Sequence, residues 1–249
     1  MKNKWDKIFN NKKFSYYSLS KKLDLNKNPQ TLSYMLASII YPNLTYKKFI
    51  TITNFIKVNL KITKKSSILD FGSGNGAFIL FFIKKFFLKN NLSLEVSQPL
   101  LNFQRSFISK TKFVKTHHIK TNSLDYLKDK TFDYSYCNSV FQYFVNDKYA
   151  AAVLNFLIRT TKKRIIVYDI KNFDKKKQYK ETVRKRQNLT KKEYKKKYND
   201  TPIRFYKKKF FIKTLKILKN KYNFNYKFKN LPSSATDSRF GYCLIISKK

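Results

Sequence analysis

Glycine is scarce in this chain: there are four among 249 residues, and three of them fall within five positions. Proline is nearly as rare, at five, which leaves little material for flexible linkers and argues against a string of small modules. Two cysteines, Cys137 and Cys243, exclude a disulfide-built scaffold. Both lie in apolar, strand-like segments and read as buried thiols in a reducing compartment. The two histidines, His117 and His118, are adjacent, so on a strand they face opposite sides and do not readily share a metal ion. No cysteine and histidine set has zinc-site spacing, and no metal is expected. Long apolar runs are missing too: the longest, 77–88, is interrupted by Lys84 and Lys85 and is too short for a bilayer. The first ten residues carry scattered charges without an apolar core or small-residue cleavage pattern, so a cytoplasmic protein with no stable membrane insertion is expected.

Negative charge is sparse: 14 Asp and Glu stand against 55 Lys and Arg, a formal net charge of +41. Such an excess ordinarily points to nucleic acid or an anionic membrane surface. Only seven of the basic residues are Arg, the residue suited to planar bidentate contacts with phosphates and bases. Lys, Asn, Ile, Phe and Tyr, which have A/T-rich codons, are abundant, whereas Gly, Ala, Pro and Arg are not, so genome composition accounts for much of the charge. Non-specific adhesion to polyanions at low salt still follows. What the chain does have is 24 Phe and 18 Tyr, enough for one substantial aromatic-rich core.

The clustered glycines stand in Ile68-Leu69-Asp70-Phe71-Gly72-Ser73-Gly74-Asn75-Gly76, directly ahead of an apolar run. The order is strand, tight turn, helix, the nucleotide-binding unit of a doubly wound α/β domain. Asp70 at the strand end would repel a phosphate, the spacing is G-x-G-x-G rather than G-x-G-x-x-G, and no Gly-Lys-Ser/Thr ending is present. S-adenosylmethionine has no phosphate; its ammonium, sulfonium and ribose diol suit nearby carboxylates. A dinucleotide and a purely structural turn are the alternatives.

The segment 68–76 resembles the first motif of the class I S-adenosylmethionine-dependent methyltransferases. Leu92-Ser93-Leu94-Glu95-Val96-Ser97 is similar to that family's second strand and acidic ending. Phe132-Asp133-Tyr134-Ser135-Tyr136-Cys137-Asn138-Ser139-Val140 and Arg164-Ile165-Ile166-Val167-Tyr168-Asp169 are similar to its fourth and fifth strands. The resemblance covers roughly residues 50–249. It implies a doubly wound, mostly parallel seven-stranded sheet with an antiparallel last strand. It also implies methyl transfer with S-adenosylmethionine as cofactor.

The expected organisation is an N-terminal helical cover over 1–60 and a methyltransferase domain over 61–249. In the cover, helices are expected over 2–10, 32–40 and 49–58, with 14–17 continuing toward the cleft and Pro42 interrupting the second. Strands follow at 67–71, 92–96, 117–122, 132–137 and 164–169, with helices at 76–88, 99–109 and 147–160. A Lys-rich, mainly helical insertion occupies 171–200, carrying Tyr179, Tyr194 and Tyr198. A helix over 206–219 and strands over 222–228 and 240–247 complete the pattern.

Cofactor contacts are expected from Asp70, Gly72, Ser73, Gly74 and Gly76, from Glu95 toward the ribose diol, and from Val96 beside the adenine. Asn122, Ser123 and Leu124 would also serve the adenine, and Asn138 and Ser139 the methionine end or the acceptor. The alternative role of Glu95 is a cap for the next helix, and that of Asp70 a structural strand-end carboxylate. Asp133, at the start of its strand, reads as structural. A base is optional for a neutral amine acceptor; for an alcohol the candidates are His117, His118, Tyr143 and Asp169. The segment after the fourth strand, Asn138-Ser139-Val140-Phe141, lacks the Pro-Pro-aromatic loop of exocyclic base-nitrogen methyltransferases. A small-molecule acceptor is expected. The alternatives are RNA methylated on a ribose or ring nitrogen, and a non-catalytic cofactor- or RNA-binding scaffold.

Overall fold

The computed structural model describes residues 29–40, 43–108, 114–119, 124, 127, 130–199, 203–233 and 237–249. The expected helix over 2–10, the segment 14–17, the break at Pro42, and Asn122 and Ser123 lie outside these residues.

Among the described residues, two helices precede the sheet, α1 (Pro29–Ile40) and α2 (Tyr46–Leu60). The second begins earlier than its apolar pattern suggests, because Thr45 caps it by accepting from Lys48 N. Its buried residues Phe49, Ile52, Ile56 and Leu60 form one stripe. Then come β1 (Ile68–Phe71), α3 (Ala77–Phe86), β2 (Asn91–Glu95), α4 (Gln98–Ile108), β3 (Val114–His118), β4 (Phe132–Asn138), α5 (Asp147–Thr160) and β5 (Thr161–Lys171). The insertion folds as α6 (Lys176–Arg186) and α7 (Lys191–Tyr198), and the chain closes with α8 (Lys208–Lys219), β6 (Phe224–Asn230) and β7 (Gly241–Lys248).

The seven strands form one sheet in the order β3-β2-β1-β4-β5-β7-β6. Strands β1 to β5 are parallel, and β7 runs antiparallel to both β5 and β6. Strand order reverses between β1 and β4, which places a crevice at their carboxyl ends.

Both sheet faces are covered, so the central strands alternate between two apolar layers rather than between core and water. Ile68, Tyr134, Tyr136, Ile166 and Tyr168 face the layer built with α1, α2 and α3. Leu69, Phe71, Cys137, Ile165 and Val167 face the layer built with α5 and α8. Apart from Lys84 and Lys85, α3 is buried on every side, as an apolar crossover helix must be. Phe49 joins α2 to it, with ring centroids 5.3 Å from Phe78 and 5.6 Å from Phe81. Burial of each such ring contributes about 1.5–3 kcal/mol.

The third strand lies earlier than the sequence pattern suggests, ending at His118 rather than at residue 122. Val114 to His118 has no buried apolar face of its own, so its register comes from pairing with Asn91 to Glu95. The fifth strand is longer than expected because α5 runs straight into it and β7 extends its pairing to Lys171. In the insertion, Thr190 and Glu193 form a reciprocal capping box that starts α7. Tyr179 and Val183 anchor α6 against Phe240. No described helix is long and apolar enough to cross a membrane.

Candidate active site

The glycine turn links β1 to α3 at the sheet's carboxyl edge. Gly72, Gly74 and Gly76 have φ of +72°, +58° and +80°, a region costly for residues with a Cβ. At Gly72 a Cβ would also meet Val140 Cγ2 at 2.5 Å, so the turn presses directly on the loop after β4. Gly72 N and Ser73 N both donate to Leu94 O, at 2.8 and 3.0 Å, tying the turn to β2.

Glu95 ends β2 and is buried. Its Oε2 accepts from Gly74 N at 2.6 Å, and its Oε1 from Val96 N and Ser97 N at 2.9 and 2.8 Å. Three backbone donors therefore fix one carboxylate against the glycine turn. His118 Nε2 lies 3.0 Å from Val96 O. Leu124 packs at the edge of the α5 layer, and its carbonyl accepts a long bond from Arg159.

Asp70 sits one strand away and is 2% exposed. It accepts a short hydrogen bond from the Tyr136 hydroxyl on β4. Burial is the largest influence on it and pushes its carboxyl well above the ordinary range. The Tyr136 hydrogen bond opposes that shift, and the nearby Glu95 charge adds to it. The Glu95 carboxylate on the neighbouring strand thus lies close enough to disfavour ionisation of Asp70. Asn75 completes the turn by donating to Leu36 O at 2.6 Å, which joins it to α1.

Beneath the turn is a polar network that sequence reasoning missed. Gln104 on α4, fully buried, donates through Nε2 to Ser73 Oγ at 2.8 Å and to Gly74 O at 2.5 Å. Ser93 donates to Gln104 Oε1 at 2.6 Å and lies 2.5 Å from Ser73 Oγ. The available signal was a Gln three residues after Leu101 on the buried face of an otherwise apolar stripe.

A second group stands at the ends of β4 and β5. Ser139 Oγ donates to Asp169 Oδ2 at 2.8 Å, beside Asn138. Lys171 Nζ reaches both Asp169 oxygens, at 2.8 and 3.0 Å, with only 5% of its side chain exposed. The ammonium lies 5.3 Å from the Tyr179 ring centre on α6. Ser139 and Asp169 both adopt left-handed backbone, at φ of +57° and +59°, and strain of this kind concentrates at functional edges. Tyr143 is within electrostatic reach of Asp169 and Tyr198. The Tyr168 hydroxyl is buried with no hydrogen-bond partner among the described residues.

The four candidate bases therefore divide. Asp169 and Tyr143 belong to the β4–β5 group, whereas His117 and His118 lie on the edge strand β3, with β2 and β1 between them and β4. Asp133 stands at the opposite end of β4, accepting from Ser67 N at 2.9 Å and paired with Lys163 at 2.9 Å.

The donor set fits a cationic, phosphate-free nucleoside. Residues 68–76 contain no Lys or Arg, and an Asp70 carboxyl raised by burial and by the nearby Glu95 charge would be relieved by a bound cation.

Comparison with known proteins agrees. Residues 69–167 match the family model of the methyltransferase domain. No curated protein matches the chain. Among solved structures, an S-adenosylmethionine-dependent methyltransferase from Clostridium acetobutylicum is 14% identical with a TM-score of 0.60, covering 88% of this chain and 97% of its own. Magnesium protoporphyrin IX methyltransferase from Synechocystis, with bound S-adenosylhomocysteine, is 12% identical with a TM-score of 0.56, over 98% of each chain. The plantazolicin methyltransferase BpumL is 16% identical with a TM-score of 0.57, over 94% of this chain and 90% of its own. At such identities the structural likeness establishes the fold, and the sequence model establishes the domain. Together they show a class I, S-adenosylmethionine-dependent methyltransferase fold, with the family model lying on residues 69–167. The chain is an enzyme of methyl transfer, with S-adenosylmethionine as its cofactor.

Proposed function

We propose that this methyltransferase modifies a small molecule whose accepting atom carries an N–H or O–H. When bound, S-adenosylmethionine supplies a methyl group already activated by its sulfonium. Asp70, Gly72, Ser73, Gly74 and Gly76 hold its amino-acid end, Glu95 its ribose, and Val96 and Leu124 its adenine, with Asn122 and Ser123 assigned to the adenine from the sequence alone. Asn138, Ser139 and Asp169 then face the acceptor.

The single observation carrying the acceptor class is the nearly buried Ser139–Asp169–Lys171 group, a compact polar cluster at the ends of β4 and β5. Asp169 receives the acceptor's hydrogen bond and orients its lone pair. Lys171 balances the carboxylate charge. Alignment and exclusion of water supply much of the acceleration; a neutral amine loses its proton to solvent after transfer, and a hydroxyl acceptor passes its proton to Asp169.

The second reading is RNA. It draws on α6 and α7, which carry six basic residues to one acidic and five to one. Incubation with methyl-labelled S-adenosylmethionine and separated metabolite, protein and RNA fractions tests both. Label in metabolites supports the small-molecule reading, and label confined to RNA or protein overturns it.

A further inference from the structure

Glu95 and the glycine turn account for the nucleoside end of the site, but Asp70 stands apart from them in its surroundings. It is a carboxylate buried to 2% exposure, with another carboxylate as electrostatic neighbour. Among the described residues no Lys or Arg pairs with it, and its hydrogen-bond partner is the Tyr136 hydroxyl. A buried carboxylate so poorly compensated is costly to keep. Such a group is retained where a ligand charge completes it.

Tyr136 is held as rigidly as the strand it belongs to. Its residue lies in register with Asp70 on the neighbouring parallel strand, so the two side chains project from the same face of the sheet. Its ring is fully buried and packs edge-on against Phe82 of α3, with centroids 5.5 Å apart. A tyrosine has only two side-chain torsions, and packing on α3 fixes both. Its hydroxyl therefore reaches one oxygen of Asp70 from a set direction and limits how the carboxylate can turn. Burial and the Asp70 charge both push the Tyr136 phenol well above its ordinary range, so it remains a proton donor.

We propose that Tyr136 is a positioning residue for the cofactor's amino-acid end: by holding one oxygen of Asp70 it aims the carboxylate at the ligand's ammonium. This rests on the assignment of Asp70 made above. Tyr136 acts through Asp70 and touches neither the adenosine nor the acceptor.

Two ligands separate this role from a merely structural one. S-adenosylhomocysteine carries the amino-acid group, whereas 5′-methylthioadenosine shares the adenosine and thioether but lacks it. Calorimetric titration of the full chain with each, in wild type, Tyr136→Phe, Asp70→Asn and the double variant, gives the readout. Tyr136→Phe is expected to weaken S-adenosylhomocysteine about tenfold, the worth of one well-aimed charge-assisted contact between Asp70 and the ligand's ammonium. Affinity for 5′-methylthioadenosine stays within about twofold of wild type, a change too small to reflect a lost hydrogen bond. The double variant binds no worse than Asp70→Asn alone, because both substitutions remove one effect. Equal losses for the two ligands, or no loss for either, overturn the proposal. If Tyr136→Phe fails to fold, the double variant, which removes both polar partners together, must still match Asp70→Asn; a further loss of S-adenosylhomocysteine overturns it. Wild-type protein that binds 5′-methylthioadenosine but not S-adenosylhomocysteine overturns the Asp70 assignment as well. Wild-type protein that binds neither overturns the cofactor site as a whole.

Discussion

Glu95 Oε2 accepts a 2.6 Å hydrogen bond from Gly74 N, so the carboxylate assigned to the ribose is also the pin that shapes the glycine turn. Binding and loop geometry are therefore one property. Glu95→Gln keeps the size of the side chain but replaces one acceptor oxygen with a donor, which faces either Gly74 N or the pair Val96 N and Ser97 N. Affinity for S-adenosylhomocysteine is expected to fall by more than about tenfold, since a charge-assisted bond is lost and a donor faces a donor. Calorimetry checks this, and unchanged affinity refutes the assignment.

Asp70 places a stability cost at the same edge. Its native carboxyl is raised by burial, so its contribution to stability is intact below the unfolded value of about 3.9 and is lost as pH rises through the native value. Asp70→Asn removes that cost. The unliganded variant is expected to be more stable than wild type by about 1–3 kcal/mol at pH 8, with the difference shrinking as pH falls toward 4. Urea denaturation across this range measures it. A variant less stable than wild type at pH 8 contradicts the reading.

Lys171 and Asp169 form a nearly buried ion pair, with side chains 5% and 13% exposed. Lys171→Met leaves the carboxylate without its cation and should cost about 3–5 kcal/mol. Adding Asp169→Asn should recover most of the loss. A double-mutant cycle by chemical denaturation tests the coupling, and additive losses argue that the pair is not a unit.

Gly72→Ala meets two obstacles: a backbone φ of +72° and Val140 Cγ2 at 2.5 Å from the new methyl. Destabilisation of about 2–3 kcal/mol is expected, partly relieved by Val140→Ala, which removes the steric share and leaves the conformational one. Thermal denaturation of the three variants separates the two contributions.

Burial pushes the Cys137 thiol well above its ordinary range and that of Cys243 up to about 12. The folded protein is expected to resist thiol-specific reagents at neutral pH, and both cysteines to react once denatured. Rapid labelling of the native chain would place a cysteine outside the core.

Local patterns carry far in this chain. The sequence 68–76 is legible as strand, turn and helix because three left-handed positions demand glycine, and the apolar run after them can only be a buried crossover. The acidic ends of β1 and β2 are legible for the same reason, since a strand end is a chemical boundary as well as a geometric one. The third strand was less readable, because Val114 to His118 lacks an apolar face and takes its register from β2. Gln104 was hidden by its neighbours on an apolar stripe, and Lys171 by the surplus of lysines around it.

By itself the amino-acid order determined where chain direction changes, which residues are driven out of water and what kind of ligand the glycine turn tolerates. Those are consequences of backbone sterics, side-chain polarity and charge acting over a few residues. Only the tertiary structure decided that Tyr136 meets Asp70, that Gln104 braces Ser73 and Gly74, and that one lysine among many is buried against Asp169. Such contacts join residues that are distant along the chain or ambiguous by type, and only the packing of strand on strand and helix on sheet selects them.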